Sequence, residues 1–358
     1  MFSKDTLLST FLERLFGSRT PLQPILFDIL LRNRLKMLCI TGDIQKAFLQ
    51  IKVGPRDRDA LRLLGYENLD SRTVRQYRFT RVIFGSRPSP YILGATLQKH
   101  VSQYADKYPS TADELLKNTY VDDVQSGGDC VEELISFEKE ATRIMEEGGF
   151  HLHKWHSNIP ELEEPQGIDD ETLLSQASSF YAKLVVGTHS QETKILGVPW
   201  NKAADTISVG FMKPLGTMSD GPLTKRKMLS AINGVYDFLG LAAPVTITGK
   251  ILYSEVCLRK LRWDQVVPDE IQRSWNNWLK GMEKCPSISV PRRVVSKDVR
   301  RIDLHGFADA SKLAVSAAVY ALVFHHVAPV HQSLVVAKSI IAPNTCQSHG
   351  WSLLQHTP

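Results

Sequence analysis

The sequence predicts an α+β protein in which short antiparallel strands alternate with amphipathic helices. Three observations carry this. β-prone runs recur at 37–53, 76–84, 118–129 and 195–212, and helical periodicity fills stretches between them. A block of three helical patterns then precedes two final alternating segments. The chain has 358 residues, 43% hydrophobic and 23% charged, which is globular composition and excludes a mostly disordered or collagen-like chain. At ~100–200 residues per domain, two or three units are expected.

Residues 21–36 carry apolar positions at helical spacing, with Pro21 and Pro24 at the tolerant start and basic residues in the last turn. Residues 37–53 read as a strand, a turn at Thr41-Gly42-Asp43 and a short amphipathic turn. Gln76–Phe84 alternates like a half-buried strand, a Pro-containing loop (85–90) stops it, and Tyr91–Tyr104 continues as a helix. Residues 118–129 are two β-prone runs meeting at Asp122-Asp123. Val131–Glu147 is a helix with Leu134, Ala141, Ile144 and Met145 on one face, stopped by Gly148-Gly149. Residues 158–190 are polar and Pro-interrupted, an irregular connection. Residues 195–201 and 206–212 read as a hairpin; helices are expected at about 224–239, 247–261 and 268–283; β-prone segments lie near 302–309 and 313–324. A boundary is expected at 285–300, where the helical pattern breaks.

Charge is unevenly spread. Residues 1–108 carry 18 Lys/Arg against 9 Asp/Glu (+9), 109–190 carry 5 against 17 (−12), and 191–358 carry 20 against 12 (+8). Basic flanks suit a polyanionic partner and an acidic middle suits metal chemistry, although a solvated acidic helix gives the same numbers. The five cysteines are odd in number and form no CxxC pair, which suggests free thiols in a reducing, intracellular compartment. The longest nearly apolar run, 313–324, falls well short of the ~18 residues of a membrane span. His151 and His153 would share a strand face, but no cysteine or carboxylate close in sequence completes a four-ligand zinc site.

The chemistry-bearing candidates are carboxylates. Asp43 ends an apolar strand, and Asp122 and Asp123 sit at a hairpin apex after Tyr120-Val121. Adjacent like charges repel, so a cation that neutralises them is favoured. Oxygen-only ligands suit Mg²⁺, which takes a few carboxylates plus substrate phosphates. An isolated Asp-Asp pair is more often a plain turn; the aromatic-aliphatic context Tyr-Val-Asp-Asp, with Asp43 upstream, argues for a site.

Residues 41–51 (TGDIQKAFLQI), 77–98 (YRFTRVIFGSRPSPYILGATLQ), 120–124 (YVDDV), 148–155 (GGFHLHKW) and 195–201 (ILGVPWN) resemble, in order, the palm motifs of reverse transcriptases. Residues 236–256 (YDFLGLAAPVTITGKILYSEV) resemble the FDPLGLLSPVTI stretch that follows the polymerase in BEL/Pao-type retrotransposon polyproteins. The resemblance covers about residues 20–355. It implies a right-hand polymerase palm (37–212), an antiparallel sheet with helices. A fingers remnant (1–36) would precede it, and a helical thumb-like region (213–285) and a truncated ribonuclease H-like β segment (298–358) would follow.

The resemblance implies RNA-directed DNA synthesis by two-metal nucleotidyl transfer to a primer 3′-OH. Its partners would be an RNA/DNA template-primer and dNTPs, its cofactor two Mg²⁺ ions, with Mn²⁺ able to substitute. Asp43 resembles the first metal-binding aspartate, with the Ile44 carbonyl able to complete a shell; Asp122 resembles the second ligand and Asp123 a weaker third. Phe48 stands where the family keeps a bulky sugar gate, although a Phe there also suits core packing. Phe84, Gly85, Ser89 and Pro90 resemble the loop and helix start that bound nucleotide and template. Lys154 resembles the lysine that can protonate pyrophosphate, and a surface lysine on an edge strand reads almost equally well. Leu196-Gly197 resembles the primer-grip turn. Lys225-Arg226-Lys227 opens a helix that could track a phosphate backbone, or is simply a solvated helix start.

The pattern is broken in places. Residues 304–322 resemble the first strands of a ribonuclease H domain, with Asp309 as its first metal ligand. Ser352 stands where the next carboxylate is expected, so no ribonuclease H activity is predicted. The chain begins 42 residues before Asp43, and its start resembles family sequence already past the basic fingers segment expected to clasp the triphosphate. Phe238 stands where the related stretch has proline. Part of this region carries a peptidase name in the family, yet no Asp-Thr-Gly or Asp-Ser-Gly triplet occurs. A catalytically inactive nucleic-acid-binding remnant is the alternative expectation.

Overall fold

The computed structural model describes residues 22–68, 72–163, 192–216, 221–284, 286–296 and 298–342. Packing divides the chain into two units, Met1–Ser178 and Ser179–Pro358.

The first unit is built on four antiparallel strands: β1 (Leu38–Ile44), β4 (Thr119–Tyr120), β5 (Asp123–Gly128) and β6 (Leu152–Ser157), in the order β4-β5-β1-β6. Alternation in β1 sends Ile40 and Ile44 to one face, where with Val124 they join a buried apolar core. Three helices close over that core: α3 (Ser89–Val101), α4 (Pro109–Asn118) and α5 (Val131–Glu147). Helix α5 buries Leu134, Phe137, Ala141, Ile144 and Met145, the stripe that its periodicity predicted plus Phe137. On the other sheet face, α1 (Leu26–Leu35) reaches over the start of β1, with Asn33 Nδ2 2.9 Å from Cys39 Sγ. The short helix α2 (Ala47–Gln50) follows β1, and β2 (Arg62–Asn68) pairs with β3 (Thr73–Arg78) as a separate hairpin with both faces exposed.

Two expectations in this unit need correction. Thr41-Gly42-Asp43 is not a turn; the strand runs through it. Gly42 serves packing, because a Cβ there would lie 2.7 Å from Trp155 Cε3. The strand expected at 76–84 ends at Arg78, and only Arg81 bridges onward, to Lys52.

The second unit begins with β7 (Glu192–Ile195), β8 (Val198–Asn201) and β9 (Thr206–Gly210), so the expected hairpin is a three-stranded meander whose first turn is Leu196-Gly197. The short helix α6 (Met212–Gly216) is followed by α7 (Lys225–Asn233), α8 (Ala243–Leu258) and α9 (Asp269–Glu283). Helix α7 stops at Gly234, short of the expected residue 239. A side chain there would meet Lys213 Cβ at 2.7 Å, and the segment after it extends away. The stretch expected to mark a boundary near 285–300 contains β10 (Ser287–Pro291), which pairs with β9 from Ser287↔Gly210 to Pro291↔Thr206. Arg292, fully buried, grips Asp205 through Nε at 2.6 Å and a second guanidinium nitrogen at 2.9 Å, and Trp200 Nε1 donates to the same carboxylate at 3.1 Å.

A separate antiparallel sheet follows: β11 (Val299–Ala310), β12 (Ala314–His325) and β13 (His331–Ile341). The third strand was not expected from the sequence. Its backbone meets the loop before α8, where Ala337 N donates to Leu239 O at 2.9 Å. Gly240 (φ +73) sits so close that a Cβ would fall 1.7 Å from Ala337 O.

Candidate active site

The acidic residues converge at one end of the first unit's sheet. Ile44 N donates to Asp122 O at 2.8 Å, which makes the neighbouring Asp43↔Asp123 couple a pair without mutual backbone bonds, the closer side-chain spacing of an antiparallel ladder. Thr41↔Gln125 repeats the pattern two residues along, and there Gln125 Nε2 donates to Thr41 Oγ1 at 2.8 Å. Asp43, Thr41, Asp123 and Gln125 therefore share the face opposite the helix-covered core. Asp122 occupies the turn, beside Val121, whose φ of +58 is a strained value for a β-branched residue. The sequence ranked Asp123 behind Asp122; the register sets Asp123 directly across from Asp43.

On the other side of Asp43 the pairing with β6 shifts: Thr41 faces His156, whereas Asp43 faces His153. Lys154 and Trp155 thus stand opposite Gly42 alone, a β-bulge with Lys154 at φ +55. The bulge buries both Leu152 and Trp155, points Lys154 to solvent and brings His153 Nε2 to 2.7 Å from Asp43 Oδ2. No sequence signal flagged His153 as a partner of Asp43, because the bulge that aligns them leaves no local mark.

Electrostatics follow from this crowding. Burial, then the Asp122 and Asp43 charges, push the Asp123 carboxyl up to about 6. Burial, with Asp43 adding to it, also raises Asp122. Among the described residues no three His, Cys, Asp or Glu side chains form a ready-made metal cluster. The donor set nonetheless suits a hard cation: the neighbouring carboxylates oppose ionisation of Asp122 and Asp123, and the buried Gln125 Oε1 on the same face has no hydrogen-bond partner.

The remaining candidates separate. Phe48 is a core residue at 8% exposure, and Phe84 meets it edge-on with ring centroids 5.2 Å apart. Phe84 is 59% exposed, so the ring open to an approaching molecule is Phe84. Gly85 has φ +73 and an open Cβ position. Ser89 is buried and spends its hydroxyl on Ile83 O at 2.7 Å, whereas Pro90 is exposed in the first turn of α3. In the second unit, Leu196 (φ +49) and Gly197 (φ +86) form the two-residue turn between β7 and β8. Asp309 is an exposed β11 residue whose Oδ1 accepts from Ala310 N. Ser352 lies outside the described residues.

Comparison with solved structures bears on the fold. Mixed helices and antiparallel sheets of this arrangement resemble those of retroviral reverse transcriptases. A foamy viral protease-reverse transcriptase in complex with an RNA/DNA hybrid matches with TM-score 0.52 at 13% identity over 92% of this chain. The same viral protein with double-stranded DNA matches at TM-scores of 0.50, with 13% and 12% identity over 92% and 93% of the chain. This chain spans 36% to 56% of the length of those proteins. No curated protein matches.

Residues 224–353 match the family model described as the Pao retrotransposon-like RNaseH-like domain. Over that stretch the chain is similar to the Pao retrotransposon family. No described helix is long and apolar enough to cross a membrane.

Proposed function

We propose that the chain is the polymerase region of a retrotransposon reverse transcriptase, with residues 37–212 as its palm, 213–285 as a thumb-like region and 298–358 as a ribonuclease H-like segment. The observation that carries this reading is the Asp43–Asp123 cross-strand pair with Asp122 in the adjoining turn, three carboxylates gathered at one sheet end with the Asp122 and Asp123 carboxyls raised by burial and by the neighbouring charges.

Asp43, Asp122 and Asp123, with the Ile44 carbonyl, would hold Mg²⁺, which when bound lowers the barrier to attack by a primer 3′-hydroxyl and offsets charge on the pyrophosphate. His153 fixes the orientation of the Asp43 carboxylate from the side away from Asp123. Trp155, packed beneath Gly42, holds β1 and β6 in the register that this alignment needs. Phe84 and Gly85 offer an exposed ring and an unobstructed backbone to a nucleotide, and Lys154 is a solvent-facing cation on the neighbouring strand. The basic flanks, +9 and +8, suit a template-primer. The RNA/DNA hybrid and double-stranded DNA bound by the viral proteins of like fold support the same partner class.

The test is primer extension on poly(rA)/oligo(dT) with dNTPs and Mg²⁺, using wild type, Asp43→Asn and Asp122→Asn. Extension by wild type that both variants lose supports a polymerase. The competing reading, a non-catalytic nucleic-acid-binding remnant, draws on the engagement of Asp43 by His153. It expects salt-dependent binding of an RNA–DNA duplex with no extension.

A further inference from the structure

The Leu196-Gly197 turn is held from outside by an aromatic residue that the sequence patterns did not single out. Tyr236 Oη donates to Leu196 O at 2.8 Å, and the Tyr236 ring lies over Gly197 so closely that a Cβ there would be 3.2 Å from Cε1. Glycine is therefore required at 197 both for φ +86 and for the ring above it. Leu196, Ile195 and Val198 are buried, so the turn is anchored from below as well.

Tyr236 does not stand by itself. Phe238 stacks beside it, with centroids 6.3 Å apart and planes 28° from parallel, and each residue is 40% exposed. Their alignment follows from the backbone. Tyr236 and Phe238 are alternate residues of a non-helical segment, and the residue between them, Asp237, turns inward, where its Oδ2 accepts from Ala242 N at 2.9 Å. The Asp237 carboxylate thus fixes the segment between two near-parallel, part-exposed rings. Two exposed rings in a parallel pair give a soluble domain little, but they match the face of a nucleobase.

Charge in this unit favours the same occupant. Residues 191–358 carry a net +8. Lys194 is exposed on β7, two residues before the turn, and Lys213 packs against Gly234, two residues before Tyr236. Farther along, Lys225 and Arg226 lie over the exposed Trp263 ring at 5.3 and 5.7 Å, with Arg226 also paired to Asp264 at 2.7 Å.

We propose that Tyr236 and Phe238 form a stacking platform for a terminal base of a nucleic-acid strand laid against the Leu196-Gly197 turn, with Tyr236 also positioning that turn. This rests on the nucleic-acid reading above and adds to it which residues receive the strand end. The rings contribute contact area without sequence preference, because every base presents a π face.

The experiment is binding of a template-primer carrying 2-aminopurine at the primer 3′ end, read by fluorescence, with a second duplex labelled internally as control. Variants are Phe238→Leu, Phe238→Trp, Tyr236→Phe and Tyr236→Leu, each checked for an unchanged melting temperature. Wild type should quench the terminal probe and leave the internal one unaffected. Phe238→Leu and Tyr236→Leu should relieve that quenching and weaken binding roughly tenfold, while Phe238→Trp keeps both. Tyr236→Phe should keep the stacking but let the turn shift, lowering affinity by a smaller factor.

Equal quenching by wild type and both leucine variants overturns the platform, and primer extension by the same samples would leave the polymerase reading standing. Conversely, normal terminal quenching without extension supports the platform and removes the polymerase reading. Absence of duplex binding by wild type overturns the platform outright.

Discussion

His153 and Asp43 face each other, Nε2 to Oδ2 at 2.7 Å, only because Lys154 bulges out of β6 and shifts the pairing by one residue. The imidazole approaches Asp43 from one strand while Asp123 crowds it from the other. An outer partner of this kind typically changes metal affinity or activity by about 10- to 100-fold when removed. His153→Ala should therefore raise the Mn²⁺ concentration needed for half-saturation by at least about tenfold, followed by electron paramagnetic resonance of free Mn²⁺. Lys154→Ala, which leaves the pair intact, should leave that titration unchanged. The reverse order of effects would refute the assignment.

Asp123 sets a pH dependence. Its carboxyl is raised to about 6 from an ordinary 3.8, so between those values the folded protein binds more protons than the unfolded one. Stability from this group is therefore greatest at low pH, falls as pH rises through that window, and is lowest above about 6. Asp123→Asn should stabilise the metal-free protein at pH 7 by on the order of 1 kcal/mol, after allowance for partial solvent screening, and leave it unchanged near pH 4. Thermal melts across that range decide it. Mg²⁺ should raise the wild-type melting temperature and do so less for the variant.

Gly42→Ala tests the contact beneath the site. The added Cβ would meet Trp155 carbons at 2.7 and 2.8 Å, an overpacking expected to destabilise by about 1–3 kcal/mol. Urea unfolding measures it, and Trp155→Leu in the same chain should recover part of the loss relative to its own single-variant baseline.

These residues also show what the sequence could and could not convey. The acidic turn was legible because Asp122-Asp123 between β-prone runs is a local pattern, and α5 was legible because its apolar stripe repeats along one segment. Gly42 read as a turn residue because glycine favours turns; the ring that makes it a strand residue lies far along the chain. The bulge at Lys154 depends on a cross-strand register that neither strand encodes alone. Strand β10 was hidden in the same way, since Ser287–Pro291 becomes a strand by pairing with β9. Phe48, left open between gate and core, is buried, and exposure falls instead on Phe84.

Asp205 and Arg292 give a stability prediction for the second unit. Arg292 is fully buried and bidentate on Asp205, and Arg293 Nε adds a contact at 3.0 Å. Asp205→Ala strands the Arg292 charge and should destabilise by about 3–5 kcal/mol in chemical denaturation. Combining it with Arg292→Met should recover much of that, because the uncompensated buried charge is then gone. A double variant as unstable as the single one would show that the pair is not the source.

The bare backbone at Gly240 ties two stretches of chain into one heritable block. Where Gly240 meets Ala337, the loop that launches α8 rests directly on the strand β13 that follows nearly a hundred positions later. A recombinant that exchanged the sheet and kept the helices, or the reverse, would have to supply a matching surface at this single point. The sensible seams for chimeras or separately produced fragments therefore lie outside both segments, and a cut between α9 and β11 would strand each half without its neighbour.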